Sequence, residues 1–355
     1  MKYNIPINKG NYDMDTAERL KQFERNRALG WENGYDQYRR NWSRYPKEQF
    51  VDEYPILVDI ELSSLCNLQC PMCYTITQEF KDKVHAQLMD MQLFRKIVDE
   101  ISGKVNAVRL SLRGEATLHP EFISCIRYCK DKGIKEVSFL TNAARLDKEY
   151  FIEMAEAGAD WITISIDGIG EQYEHIRKPL KFEDTLKKIK DIHEIKQKRG
   201  WKKPVIKIQG IWPSIKNDPT EYYNTFKSYV DLIAFNPLID YLDKDEDIVY
   251  ESDFACPQMY QRLVVGSDGR VLLCSNDEEG QYIVGDAKYE SIYDIWHGDK
   301  LNKARDLHRK GAFKELEVCR KCYLPRATEE NERAFINDRE VVIKNYINRK
   351  QIIGE

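Results

Sequence analysis

Six short runs rich in β-branched and aromatic residues recur along the chain, each separated from the next by a longer stretch: ILVDIEL (56–62), NAVRLSL (106–112), KEVSFL (135–140), WITISI (161–166), PVIKIQGIW (204–212) and VDLIAF (230–235). Between them lie helix-like segments such as LFRKIVDEIS, PEFISCIRYCKDKG, DKEYFIEMAEAG and FEDTLKKIKDIHEIKQKRG, the last three ending at a glycine, where a helix C-cap favours one. Strands alternating with helices at this spacing need crossover connections, so they run parallel, in an open sheet or a barrel. The regularity stops near residue 240. An acidic linker, DYLDKDEDIVYESD, leads into RLVVGSDGRVLLC, two apolar runs around Ser-Asp-Gly that read as a hairpin, and then into the helix-like ESIYDIWHGDKLNKARDLHRKG. Four regions follow from this reading: a charged, aromatic, helical extension over 1–52, an α/β unit over 53–240, a hairpin-and-helix unit over 241–326, and a charged tail over 327–355 that is helical in pattern.

The chain of 355 residues is long enough for a large core, and 55 basic against 59 acidic residues give a net charge of −4. No global positive field draws nucleic acid, so none is expected as a partner. The segment MKYNIPINKGNYDMDTAERLKQFERNR lacks an apolar signal region and no long apolar run occurs, so no membrane association is expected and the chain reads as cytoplasmic. In a reducing compartment nine cysteines do not make a disulfide framework, and seven of them stand in ligand-like spacings. Cys66, Cys70 and Cys73, in LCNLQCPMCY, directly follow the first strand and fall at its C-terminal mouth, where parallel barrels place their chemistry. Three thiolates on one loop can hold three irons of a cubane and leave the fourth open; a structural zinc completed by a distant Cys or His is the competing reading. Cys256 and Cys274, with the CRKC pair Cys319 and Cys322, form a second set able to close around one zinc or iron–sulfur centre with no open position. Cys125 and Cys129 share an i, i+3, i+4, i+7 face with Phe122 and Ile126, which marks them as core. The six histidines show no ligand pairing.

The CxxxCxxC loop after a first strand resembles the radical SAM superfamily. The resemblance implies a partial (β/α)6 TIM-like barrel with a [4Fe-4S] cluster on Cys66, Cys70 and Cys73 and S-adenosylmethionine (SAM) on the open iron. Reduction of the sulfonium then releases methionine and a 5′-deoxyadenosyl radical that takes a hydrogen atom from substrate. It further implies that Met72 contacts adenine, that Gly114 and Glu115 form the motif binding the methionine ammonium, and that Thr141, Asn142, Ser165 and Asp167 meet the ribose and the methionine carboxylate. Arg177 is implied to pair with that carboxylate, which a guanidinium fork suits. The second cysteine set is similar to the shortened twitch form of the SPASM extension, a hairpin plus helix holding one auxiliary [4Fe-4S] cluster, as in 2-deoxy-scyllo-inosamine dehydrogenase.

A closed auxiliary cluster suits electron traffic. The expected activity is therefore that of a radical SAM dehydrogenase-type oxidoreductase: oxidation of an alcohol or amine carbon of a sugar, aminocyclitol or nucleotide sugar, with the auxiliary cluster accepting an electron and a low-potential donor such as flavodoxin or ferredoxin as partner. Trp42, Tyr45, Trp212 and Arg262 are candidate contacts for such a carbohydrate-like substrate. The alternatives are modification of a ribosomally made peptide and a redox-neutral epimerase or dehydratase. A metal-stabilised binding protein without catalysis is the non-enzyme reading.

Overall fold

The computed structural model describes residues 4–7, 9–237, 247–349 and 353. The boundary read at residue 240, much of the acidic linker and most of the chain beyond 349 lie outside the described residues. The strands are β1 (Tyr12–Asp13), β2 (Leu57–Ile60), β3 (Ala107–Arg109), β4 (Glu136–Thr141), β5 (Trp161–Ser165), β6 (Val205–Ile211), β7 (Leu232–Asn236), β8 (Arg262–Val265), β9 (Arg270–Leu272), β10 (Ile283–Asp286), β11 (Thr328–Ile336) and β12 (Arg339–Tyr346). Every one of the six expected runs is a strand, and β2 to β7 lie side by side in chain order, all parallel. Connecting helices include α3 (Gln78–Lys83), α4 (Met91–Ile101), α5 (Phe122–Asp131), α6 (Lys148–Glu156), α7 (Gly170–Ile176) and α8 (Phe182–Arg199); α1 (Ala17–Ala28) and α2 (Glu32–Glu48) precede them.

The six parallel strands alternate sharply between their two faces. Val58, Val108, Val137, Ile162 and Ile206 are at most 1% exposed and join the core on the helix side. There α4 presents Leu93, Phe94, Ile97, Val98 and Ile101, each burial worth about 1.5–3 kcal/mol. Cys125 and Cys129 are buried on α5, as their spacing predicts, and burial pushes the Cys125 thiol up to about 12. At Gly200 the chain leaves α8 through a left-handed residue with φ 66°, a conformation that costs glycine little. Asp59, Arg109, Ser138, Thr163 and Lys207 occupy the opposite face. Residues from the strands that flank the six on either side, Asp13 on β1 and Arg262 on β8, line one cavity with Arg109 and Lys207, so the sheet curls into a partial barrel.

Beyond the barrel, β8 pairs parallel with β2, and β8 and β9 form the expected hairpin, so the second cysteine unit extends the barrel's own sheet to ten strands. The helix-like stretch after it is two helices, Ile292–Trp296 and Asp299–Arg309, parted at Gly298.

Two expectations about the ends change. The tail is not helical: β11 and β12 form an antiparallel hairpin. Its turn residues Asn337 and Asp338 have φ of 48° and 62°, the left-handed pair that a tight two-residue turn demands and that Asn and Asp tolerate. Ala334 and Ile336, two residues apart on β11, are buried together with Ile343 and Tyr346 on β12, and this inward face prevails over the charge-rich composition that suggested a helix. The N-terminal extension is helical over α1 and α2 but also contributes β1, which pairs antiparallel with β7. It closes the floor of the barrel. Arg27 on α1 donates from Nε and Nη2 to Glu136, the first residue of β4, at 3.0 and 2.9 Å, and its guanidinium lies 4.2 Å from the Trp161 ring. Among the described residues no helix is long and apolar enough to cross a membrane.

Arg27 and Glu136 are 2% and 1% exposed, so Arg27→Met leaves a buried carboxylate without its partner. Loss of about 3–5 kcal/mol is expected in urea unfolding. Adding Glu136→Gln recovers part of it, and a double variant no more stable than the single one would refute this account.

Candidate active site and cysteine centres

The loop after β2 carries Cys66, exposed, Cys70, buried, and Cys73, half-buried, and a turn from the Cys73 N–H to the Cys70 carbonyl at 2.9 Å brings the last two together. Burial pushes the Cys70 thiol up to about 11, and Arg177 draws it back down. Gly114 fixes where the loop sits. A Cβ there would stand 2.3 Å from the Leu65 carbonyl oxygen and 2.6 Å from that of Ser63, closer than atoms can approach, so only glycine lets the two loops touch. The Glu115 N–H then donates to the Leu65 carbonyl at 2.8 Å. The preceding Arg113 turns the other way, donating from Nε to the buried Glu61 carboxylate at 2.6 Å and from Nη1 to the Glu278 carbonyl at 3.1 Å.

Five of the residues singled out for SAM, Glu115, Thr141, Asn142, Asp167 and Arg177, meet in contacts to the Glu115 and Asp167 carboxylates. Glu115 is buried. Its Oε1 accepts from Thr117 Oγ1 at 2.6 Å and Thr141 Oγ1 at 2.8 Å, and its Oε2 from the Asn142 N–H at 2.7 Å. A carboxylate has about four acceptor positions, so Oε2 retains capacity for a cationic donor. Asn142 Nδ2 bonds Asn67 at 2.8 Å and stands 4.0 Å from the Cys66 sulfur, at the limit of contact. Arg177 donates from Nε to Asp167 at 2.8 Å. Burial opposes the Arg177 charge, but Asp167 and Cys70 more than offset it and hold its pKa above the ordinary value. Ser165 is half-buried at the C-terminal end of β5, and Met72 packs beside Leu68, Cys70 and Ile176.

The second cysteine set belongs to the unit that extends this sheet. Cys256, Cys274 and Cys319 are buried and Cys322 is half-buried. Among the described residues no three Cys, His, Asp or Glu side chains close in as around a single ion. The thiols are nonetheless near enough to act on one another: burial raises the Cys274 pKa, and Cys256, Cys322 and Cys319 raise it further. Two donors face the Cys322 sulfur at 3.4 Å, Asn276 Nδ2 and the Leu324 N–H, an arrangement that favours a thiolate ligand. His308 was not found by sequence reasoning. Fully buried and held neutral because burial pulls its pKa down to about 4, it accepts from the Cys256 N–H at Nδ1, 3.2 Å. Its proton therefore sits on Nε2, which faces the Cys319 sulfur at 3.4 Å.

The interior of the barrel was missed as well. A cavity of about 480 Å³ runs along the inner strand faces, lined by Arg109, Ser138, Thr163, Lys207 and Gln209 among others. The signal was present in the strands themselves. Parallel strands covered on both sides read as nearly unbroken apolar runs, whereas VDIE, VRLS, ITIS and IKIQ place a polar residue at every second position. Of the four candidate substrate contacts, Trp42 and Arg262 line this cavity, with the guanidinium 5.1 Å from the Trp42 ring. Trp212 is buried against Phe235, and Tyr45 is buried with its hydroxyl on Asp52, so both are structural.

Residues 60–210 match the radical SAM superfamily, and residues 256–323 match the SPASM iron-sulfur cluster-binding domain. The chain carries a radical SAM domain followed by a SPASM domain. A radical SAM domain implies SAM and a [4Fe-4S] cluster, and a SPASM domain implies further iron–sulfur ligation. A tungsten-containing aldehyde ferredoxin oxidoreductase cofactor-modifying protein of Pyrococcus furiosus is 30% identical over 157 residues, 42% of each chain. A probable GTP 3′,8-cyclase of Methanococcus maripaludis is 30% identical over 138 residues, 38% of this chain and 45% of that one. The matched stretch thus spans less than half the length of either relative. Among solved structures, BtrN in complex with AdoMet and 2-DOIA superposes with a TM-score of 0.55 at 16% identity, covering 77% of this chain and 94% of that one. SuiB of Streptococcus suis bound to S-adenosylmethionine gives 0.53 at 14% identity, covering 78% and 73%. At these identities the likeness is one of fold.

Inside this radical SAM barrel, burial pulls the Lys207 amine down to about 8 from its ordinary 10.5, with Asp13 acting in the opposite sense. The unfolded chain therefore protonates first as pH falls. Stability from this residue is full above about 10.5 and is lost as pH falls to about 8, up to about 3 kcal/mol. Wild type should accordingly lose stability relative to Lys207→Met over that interval; parallel stability curves from pH 7.5 to 10.5 would show the amine unperturbed.

Proposed function

We propose that this radical SAM enzyme is a dehydrogenase-type oxidoreductase that oxidises an alcohol or amine carbon of a sugar, aminocyclitol or nucleotide sugar. In this reading Cys66, Cys70 and Cys73 hold the SAM-binding [4Fe-4S] cluster. Cys256, Cys274, Cys319 and Cys322 hold one auxiliary [4Fe-4S] cluster. Glu115 takes the methionine ammonium on its less occupied oxygen, with Gly114 setting its approach, and Met72 packs on adenine. Asn142, Ser165 and Asp167 serve the ribose and methionine carboxylate, and Arg177, already paired with Asp167, turns its remaining donors to that carboxylate.

The observation that carries this reading is the attachment of the second cysteine unit to the barrel's own sheet. Its strand β8 lies beside β2, and its Cys274–Glu278 loop is tied to Arg113, the residue before Gly114. When bound, SAM and the two clusters supply a hydrogen-abstracting radical and an acceptor for one electron; loss of a proton from the heteroatom completes a two-electron oxidation to a carbonyl or imine. The chain's own residues position the substrate hydrogen and exclude water around it. BtrN was solved with 2-DOIA and SuiB with a precursor peptide, so fold alone does not choose the substrate. The inner barrel face favours a hydroxyl-rich one, since Ser138, Thr163 and Gln209 offer hydrogen bonds in place of an apolar filling. A low-potential flavodoxin or ferredoxin in the cytoplasm supplies the initiating electron.

Anaerobic iron and sulfide analysis with EPR tests the assignment. About eight irons per chain and one signal shifting with SAM are expected, followed by an oxidised product from a panel of sugars, aminocyclitols and nucleotide sugars. Cys70→Ala should abolish SAM cleavage, and Cys322→Ala should remove roughly half the iron while leaving uncoupled cleavage. Cleavage by Cys70→Ala, or full iron in Cys322→Ala, would refute the respective ligand set; a redox-neutral product would overturn the dehydrogenase.

A further inference from the structure

Among the described residues the charges in the barrel cavity do not balance. Arg27, Lys9 and Arg39 on its wall are each paired, with Glu136, Glu251 and Glu24. Arg109 and Arg262 share a single carboxylate, the fully buried Asp59: Arg109 Nη2 donates to its Oδ2 at 2.9 Å and Arg262 Nη1 to the same oxygen at 3.1 Å. Arg109 Nε lies 2.9 Å from Asp59 Oδ1 without the alignment of a hydrogen bond, and Arg262 Nε is likewise buried without a hydrogen-bond partner among the described residues. Lys207, 8% exposed, reaches only Asn11 Oδ1 at 3.4 Å and makes no ion pair among the described residues; Asp13 is the acidic group acting on it. Among the described residues three cations thus face two carboxylates, Asp59 and Asp13, in a place where an uncompensated charge is costly.

We propose that Arg109 and Arg262 bind an anionic group of the substrate, a phosphate or a carboxylate, inside the barrel. The inference rests on the carbohydrate reading above and narrows it, turning from cationic aminocyclitols to sugars that carry an anion. Guanidinium forks match both anions, and the Trp42 ring lies against the Arg262 fork. Register gives the length. Arg109 lies opposite Ser138, and Ser138 opposite Trp161, four residues below Ser165 at the strand end. Four residues of β5 span about 13 Å, longer than one sugar ring, so an anion seated on the arginines lies well below a carbon presented at the mouth. A phosphorylated or nucleotide-linked sugar has that reach, and its hydroxyls pass Thr163 and Lys207 on the way.

The test is calorimetric titration of the reconstituted two-cluster protein with SAM, using UDP-glucose, glucose 6-phosphate, glucuronate, inorganic pyrophosphate, glucose and glucosamine as probes. At least one anionic probe should bind about tenfold or more tightly than glucose or glucosamine, weaken with added salt, and lose about tenfold in Arg262→Gln and Arg109→Gln at unchanged iron content. UDP-glucose or glucose 6-phosphate would mark the anion as phosphate and glucuronate as carboxylate. Arg262→Lys, which keeps the charge but not the fork, should fall between wild type and Arg262→Gln and serves if the glutamine variants do not fold. Equal binding of glucosamine, affinity indifferent to both arginines, or no anionic probe bound at all would overturn the proposal. Pyrophosphate bound through the arginines with no sugar bound would keep the anion site and refute the carbohydrate reading. Oxidation of an uncharged sugar with no anion bound would do the reverse.

Discussion

The buried pair between Glu61 and Arg113 is the contact on which the arrangement of both cysteine sets depends. Glu61, fully buried just past β2, receives the Arg113 side chain, the Arg113 backbone N–H at 3.2 Å and the Ser267 N–H of the β8–β9 turn at 2.9 Å. Arg113 adds the Glu278 carbonyl beyond Cys274. One ion pair therefore joins the strand that leads into the first cysteine loop, the Gly114–Glu115 turn that cradles it, and two segments of the second cysteine unit. Burying two charges is costly unless their remaining donors and acceptors are met, and here protein partners meet them. Burial opposes the arginine's charge, but its hydrogen bonds to Glu61 and the Glu61 charge outweigh that and hold its pKa above the ordinary value. Arginine at position 113 thus has a structural reason: its side chain leaves the cradle to Gly114 and reaches across to the second cysteine unit.

Much of the fold was legible because its signals are local. β-branched runs, a C-capping glycine and a Ser-Asp-Gly turn each act within a few residues, and the tight cysteine spacing survives any rearrangement around it. The elements that escaped depend on distant partners. Two residues at 12–13 form a strand only because β7 offers an edge to pair with. The tail was misread because charges in ENERAFINDREVVIKN suit a helix as well as an exposed hairpin, and only the left-handed Asn337–Asp338 turn separates the two. His308 gives no sequence signal, since its task depends on a neutral tautomer bridging Cys256 and Cys319 in space.

The polar alternation in the strands has a consequence for how the barrel holds itself together. In a parallel barrel filled by branched side chains, the inner layers stabilise the sheet from within. Here the inner positions belong to Asp59, Arg109, Ser138, Thr163 and Lys207, and the apolar contribution comes from the outer faces packed on the helices. The lower end of such a barrel would admit water between its strands. The N-terminal extension prevents this. Phe23 meets the edge of Trp161 at 5.6 Å, and Arg27 stacks on the same ring while satisfying Glu136. The charged, aromatic extension is therefore a floor. Sealing the base from outside frees the inner strand faces from packing duty, so their side chains can recognise a polar molecule along most of the barrel's depth, while the cysteine loop at the mouth remains the open end.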